Sequence, residues 1–221
     1  MGDVIISVRG TAQRRVAPEL AIASVQVRVD GPDRASVTRR TGQAADALRS
    51  RLKELEEGER VVRWSSERAY FWSSRPWNAD GTQLRPVHYG SVPFGATFDD
   101  FAELSGWVGE LAEAADVHVG DVSWRLTDDT RARLERETAA EAVGVAVQRA
   151  QAYAEALGLG DVAPVEIADN DLLSRDAAPG FAALRMGANV RGAAEGAPLV
   201  ALEPEDILVS ATVEGRFAAR A

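Results

Sequence analysis

Apolar side chains recur along this chain first at every second residue and then at every third or fourth, and the switch between the two spacings is made repeatedly. Val4, Ile6 and Val8 alternate with Ser7 and Arg9, and further on Val25, Val27 and Val29 alternate with Gln26, Arg28 and Asp30. A period of two is that of a half-buried strand, so two strands open the chain. Asp30-Gly31-Pro32-Asp33 ends the pattern, and Val37, Thr41, Ala44, Leu48, Leu52 and Leu55 then follow at helical spacing up to Gly58. That is an amphipathic helix with a glycine stop.

The same reading carries on downstream. Residues 61–72 are rich in aromatic and β-branched side chains and predict a third strand; residues 87–98 predict a fourth, with Asn78-Ala79-Asp80-Gly81 as turn chemistry between them. Asp99 or Asp100 can cap a second helix whose apolar face is Phe101, Leu104, Val108, Leu111 and Ala115. A fifth strand covers 117–126. The longest helix, about 128–157 by the helix-start and helix-stop signals, opens at Thr127-Asp128-Asp129 and closes at Gly158, with Ala142, Ala146, Ala150, Tyr153 and Leu157 along one seam. Alanine contributes little burial per residue but permits close approach, so this helix is expected to pack tightly on a sheet or a neighbouring helix.

Strands over 162–168 and 207–217 complete the pattern. Between them, residues 169–204 have no clear period and contain Pro179-Gly180, Gly187, Gly192, Gly196 and Pro198; such a stretch in a compact chain is commonly functional, disordered or exchanged with a neighbour. The expectation is an α+β fold of order ββαββαβαββ, mostly antiparallel, with amphipathic helices packed on one face. Residues 1–221 are read as a single domain or as two small lobes.

Charge and composition remove several function classes. With 34 acidic and 25 basic side chains the formal charge is −9, and no dense basic cluster offsets it. Nucleic acid is therefore excluded as an expected partner. The chain has no cysteine, which removes disulfides, thiolate nucleophiles and cysteine-based metal sites. A membrane-spanning helix needs about 20 apolar residues in succession, and a rich stretch such as Leu20–Val29 is interrupted by Ser24, Gln26 and Arg28. Met1-Gly2-Asp3 runs straight into the first alternation without an export signal. These features predict a soluble chain, cytoplasmic as given.

Known catalytic and cofactor signatures are missing or misplaced. Gly158-Leu159-Gly160-Asp161-Val162-Ala163 spells a dinucleotide fingerprint but follows a helix and precedes a strand, the reverse of what pyrophosphate binding requires. His88 and His118 lie on different predicted strands without a helical metal-binding partner. Asp169 and Asp171 flank Asn170, but the glycine and distal glutamate of a calcium loop are lacking. Asp128 and Asp129 suit a helix N-terminus. No cofactor or metal is expected, and the chain is read as a non-enzyme. The alternative is a small-molecule-binding protein or hydrolase with a cleft near His88 or His118.

One group of side chains stands out. Tyr70, Phe71, Trp72, Trp77 and Tyr89 gather on the predicted hairpin together with Arg68, Arg75 and Arg85. These are residue types enriched at protein interfaces, and they are also large enough to form a stacked ladder inside a core. Both readings stand at this point. If the group is a surface, Tyr70, Phe71, Trp72, Arg75, Trp77 and Tyr89 are its candidate contact residues.

The order of elements and three local stretches resemble the SIMPL-domain family, which includes YggE-like bacterial proteins and has long been catalogued as a domain of unknown function. The first stretch is Ile6-Ser7-Val8-Arg9-Gly10-Thr11-Ala12 followed by Val16-Ala17-Pro18-Glu19-Leu20-Ala21, with Glu19 where the family usually has aspartate. The second is Ser123-Trp124-Arg125-Leu126-Thr127-Asp128 leading to Tyr153-Ala154-Glu155-Ala156-Leu157-Gly158. The third is Leu202-Glu203-Pro204-Glu205-Asp206-Ile207-Leu208-Val209-Ser210-Ala211, with Glu205 in place of a family glycine. None of the three is a catalytic signature. The resemblance implies a self-associating interaction or scaffold module, sometimes tied to stress or envelope functions, with no agreed biochemical activity. Many members carry an export signal and work in the periplasm or at the envelope, and the tryptophan-rich hairpin departs from the family's tyrosine-bearing segment.

Overall fold

The computed structural model describes residues 3–169, 172 and 202–220. In chain order the elements are β1 (Val4–Val16), β2 (Leu20–Gly31), α1 (Arg34–Glu57), β3 (Arg63–Ser66), β4 (Tyr70–Ser74) and β5 (Val87–Phe98), then α2 (Phe101–Ala112), β6 (Val117–Arg125), α3 (Asp128–Ala156), β7 (Val162–Asp169) and β8 (Ile207–Ala219). The fold is α+β with antiparallel strand pairing. Of the aperiodic stretch 169–204, only Asp169, Leu172 and residues 202–204 are described; Asn170 and Asp171 lie outside the described residues.

One expected strand is in fact two. Ser66 lies opposite Phe94 and Tyr70 opposite Ser91, so Glu67, Arg68 and Ala69 face only two residues of β5 and the chain bulges between β3 and β4. The Glu67 amide still donates to the Pro93 carbonyl at 3.0 Å. The order is therefore ββαβββαβαββ, with β3 and β4 both lying along β5. Period alone does not reveal a bulge, because the alternation resumes on its far side.

The described residues form two compact units. The first contains residues 18–126 and 202–205 and is built on a sheet of order β3-β5-β2-β6, with β4 also on β5. Ala21, Ala23, Val25, Val27 and Val29 of β2 are buried on one face, together with Val92, Phe94, Ala96 and Phe98 of β5. Leu48, Leu52 and Leu55 of α1 and Leu104, Trp107 and Leu111 of α2 close over that face. Asp33 caps α1 and Asp100 caps α2, each by accepting backbone amides of the first turn. Trp107 packs against Phe98 with ring centroids 5.2 Å apart, and Phe101 meets Trp124 edge-on at 4.9 Å. All five tryptophans of the chain lie in this unit.

The second unit contains residues 3–17, 127–169 and 206–220. Its three-stranded sheet has order β1-β8-β7, and β1 pairs with β8 without interruption from Val4 opposite Ala219 to Val16 opposite Ile207. Helix α3 lies on this sheet through Ala142, Ala146, Ala150 and Ala154, all fully buried with Ile6, Val8, Val213 and Phe217. Gly10 is what allows the contact: a Cβ there would stand 2.0 Å from the Ala142 carbonyl oxygen and 2.7 Å from the Ala146 nitrogen. The close packing expected of the alanine seam is thus packing on a strand. Tyr153 and Leu157, expected along the seam, are instead exposed and Ala154 continues it. A large side chain has no room where helix and strand backbones come this close.

Candidate functional site

The register sorts the aromatic group by face. Along β5 the even-numbered residues from Gly90 to Phe98 point to the helices, so Tyr89, Ser91, Pro93, Gly95 and Thr97 belong to the opposite, outer face. Trp72 pairs with Tyr89 and Tyr70 with Ser91, which brings Tyr70, Trp72 and Tyr89 to the outer face. Trp72 and Tyr89 stack with ring centroids 5.1 Å apart and planes inclined by 11°. Arg68 lies 5.2 Å over the Tyr70 ring, within cation-π range.

Phe71 is on the other face. Its partner in register is Gly90, where a Cβ would meet the Phe71 ring at 2.8 Å and the Thr41 hydroxyl of α1 at 2.2 Å. Arg75 and Trp77 lie beyond β4 toward the hairpin tip, where Trp77 bridges Gln83 and Asn78 closes the turn by accepting the Thr82 amide at 2.7 Å. Every residue of β4 is exposed, and exposure reaches 45% for Trp72 and 66% for Trp77. Of the two readings of this group, a buried ladder does not describe it.

The two histidines are not brought together. His88 is opposite Gly31 and His118 opposite Gln26, on the two strands that flank β2. An odd separation along β2 sets them on opposite faces of the sheet. His88 Nδ1 and the Ser73 hydroxyl are hydrogen-bonded at 2.7 Å across β4 and β5. His118 borders a hollow of about 420 Å³ on the outer face.

That hollow follows from residue size. Ser65 of β3 faces Gly95 of β5, and Gly95 faces Ser24 of β2. Beside Ser24 the β6 pairing slips by a bulge, where Gly120 lies so close that a Cβ would be 3.2 Å from the Ser24 carbonyl. One row across four strands therefore carries two serines and two glycines, and the sheet is concave there. Gln26, Pro93 and Glu67 also line it, with Asp121 on β6. No period or motif in the sequence marks these residues, since the row exists only once four strands are in register.

Displaced titrations mark salt-bridged groups elsewhere. The Glu141 carboxyl is held below its usual range by its hydrogen bond from Arg14, and Arg14 is raised reciprocally, most by that same bond. Arg51 is raised by its hydrogen bond to Glu110. Among the described residues, no group of three or more histidines and carboxylates is arranged to hold a metal ion. No described helix is long and apolar enough to cross a membrane.

No curated protein matches the chain. The family model described as SIMPL, protein of unknown function (DUF541), matches residues 6–217 of the 221, which include all three stretches that resembled it in sequence. The chain belongs to the SIMPL family.

Proposed function

We propose that this chain is a non-enzymatic module that associates with further copies of itself through the aromatic hairpin. The observation that carries the reading is the exposure of Trp72 and Trp77, at 45% and 66%, on a hairpin that also presents Tyr70 and Arg75. Tryptophan, tyrosine and arginine are the residue types on which binding free energy concentrates at interfaces. Charge supports a second copy as the occupant. Residues 68–89 carry three arginines and one aspartate, a net of +2 in a chain of −9, so the remainder carries −11. The hairpin is complementary to the acidic surface of another copy, which makes the contact heterologous, the hairpin of one copy on a different surface of the next.

Light scattering coupled to size exclusion tests this between micromolar and millimolar concentration. The unaltered chain is expected to associate, less so as salt is raised. The pair Trp72→Ala and Trp77→Ala is expected to remain monomeric with an unchanged far-ultraviolet spectrum. A chain that stays monomeric throughout that range overturns the reading. A second reading, a small-molecule site beside His118, is favoured by the hollow on the outer sheet face.

A further inference from the structure

We propose that the hollow formed by β3, β5, β2 and β6 binds a linear oligoamine, its ammonium groups held by Glu67 at one end and Asp121 at the other. The proposal rests on the ligand-binding reading of that hollow and names its ligand class.

The argument begins with which polar groups are engaged. Some charges of the same unit are paired, Arg40 with Asp116 at 2.7 Å, Arg51 with Glu110 at 2.7 Å, and Arg60 with Glu103, while others such as Glu113 are not, among the described residues. At the hollow, the side chains of Glu67 and Asp121 make no hydrogen bond or ion pair with any described residue, and neither do the hydroxyls of Ser24 and Ser65. Gln26 donates its amide to Ser91 at 2.7 Å, which leaves its carbonyl oxygen as an acceptor. Carboxylates can only accept, and hydroxyls can accept as well as donate. The hollow thus offers more acceptors than donors and a net negative charge, and its complement is a cation rich in N–H groups.

Shape narrows the class. Glycine and serine floor the hollow, with Pro93 beside them, so a slender chain can lie close to the backbone. Asp121 is on β6, and Glu67 directly follows β3; β3 and β6 are the outermost strands of the four. Three interstrand steps separate those strands, roughly 14 Å, which terminal ammonium groups on a linear triamine approach once the carboxylate side chains reach inward. Arg63 lines a neighbouring hollow that shares Ser65 and Gly95, and it repels an amine from that direction.

The test is isothermal titration at low ionic strength with three linear probes: spermidine, a dicarboxylate of similar length and a diol. Spermidine is expected to bind at one site per chain. Glu67→Gln and Asp121→Asn, both exposed and nearly isosteric changes, are each expected to weaken it about tenfold. Glu113→Gln, an exposed carboxylate outside the hollow, is expected to leave it unchanged. Equal spermidine binding by all these chains would show general attraction to an acidic protein and overturn the proposal. Binding of the dicarboxylate or the diol in its place would keep a ligand site but overturn the amine class. If none of the three binds at millimolar concentration, both the class and the ligand-binding reading fall.

Discussion

In the β1-β8-β7 unit, α3 meets its sheet through four alanines and the bare backbone of Gly10, whereas in the other unit α1 and α2 meet theirs through leucines, valines, Phe98 and Trp107. The same task, a helix on an antiparallel sheet, is met in one case by proximity and in the other by side-chain volume. Proximity favours backbone contact but buries little apolar area per residue. Volume buries more but depends on each side chain filling its own space. The alanine seam should therefore fail when atoms are added, and the large-residue core should fail when atoms are removed.

The largest expected effect is a deletion in the second kind of core. Phe98→Ala removes a fully buried ring that packs on Trp107 and is expected to cost about 4 kcal/mol, read by urea unfolding followed through tryptophan fluorescence. Fluorescence suits this unit because it holds all five tryptophans. Next comes an insertion in the first kind. Gly10→Ala forces a methyl group to within 2.0 Å of the Ala142 carbonyl and is expected to cost about 3 kcal/mol, at the upper end for overpacking. Circular dichroism, which weighs the 29-residue α3 heavily, follows that loss. If Gly10→Ala were neutral, helix and strand would not be in the contact described.

A gain should also be available. The Thr138 hydroxyl on α3 is buried with no hydrogen-bond partner among the described residues, so Thr138→Val keeps the shape and removes an unsatisfied group. About 1 kcal/mol of added stability is expected, seen as a higher urea midpoint at unchanged slope. The smallest effect concerns pH. Glu141 has its folded-state titration depressed by Arg14, so its contribution is present above the ordinary carboxylate range and is lost as pH falls through the depressed value. Both partners are largely exposed, so the effect is slight, and Glu141→Gln should flatten that part of the stability profile. An unchanged profile in the variant would remove the pair from the account.

Much of this architecture is legible in the sequence because it is local. Capping at Asp33, Asp100 and Thr127, the stop at Gly158 with its φ of 71°, and the alternation in β1 and β2 depend on neighbours a few residues away. What depends on register is not legible. The break between β3 and β4 and the division of Phe71 from Trp72 by face follow from which strand lies beside which, and the exclusion of Tyr153 from the alanine seam follows from how closely α3 lies on β1. The hollow is the extreme case, since Ser24, Ser65, Gly95 and Gly120 are unremarkable one at a time and are brought into a row by four strands.

The pairing of β1 with β8 bears on how the chain reaches this state. Arg9 and Glu214 are joined at 2.6 Å although 205 residues separate them. The β2 and β5 partners, such as Ala21 and Phe98, lie within one continuous segment. Closing the longer loop carries the greater entropy, and contacts so distant in sequence form late. On the ribosome, β2 through β6 can assemble as soon as they emerge, while β1, synthesised before any of them, waits for β8. During that interval a 13-residue strand that alternates apolar and polar side chains has no strand to pair with among the described ones. It is the segment from which misassembly between nascent molecules would begin.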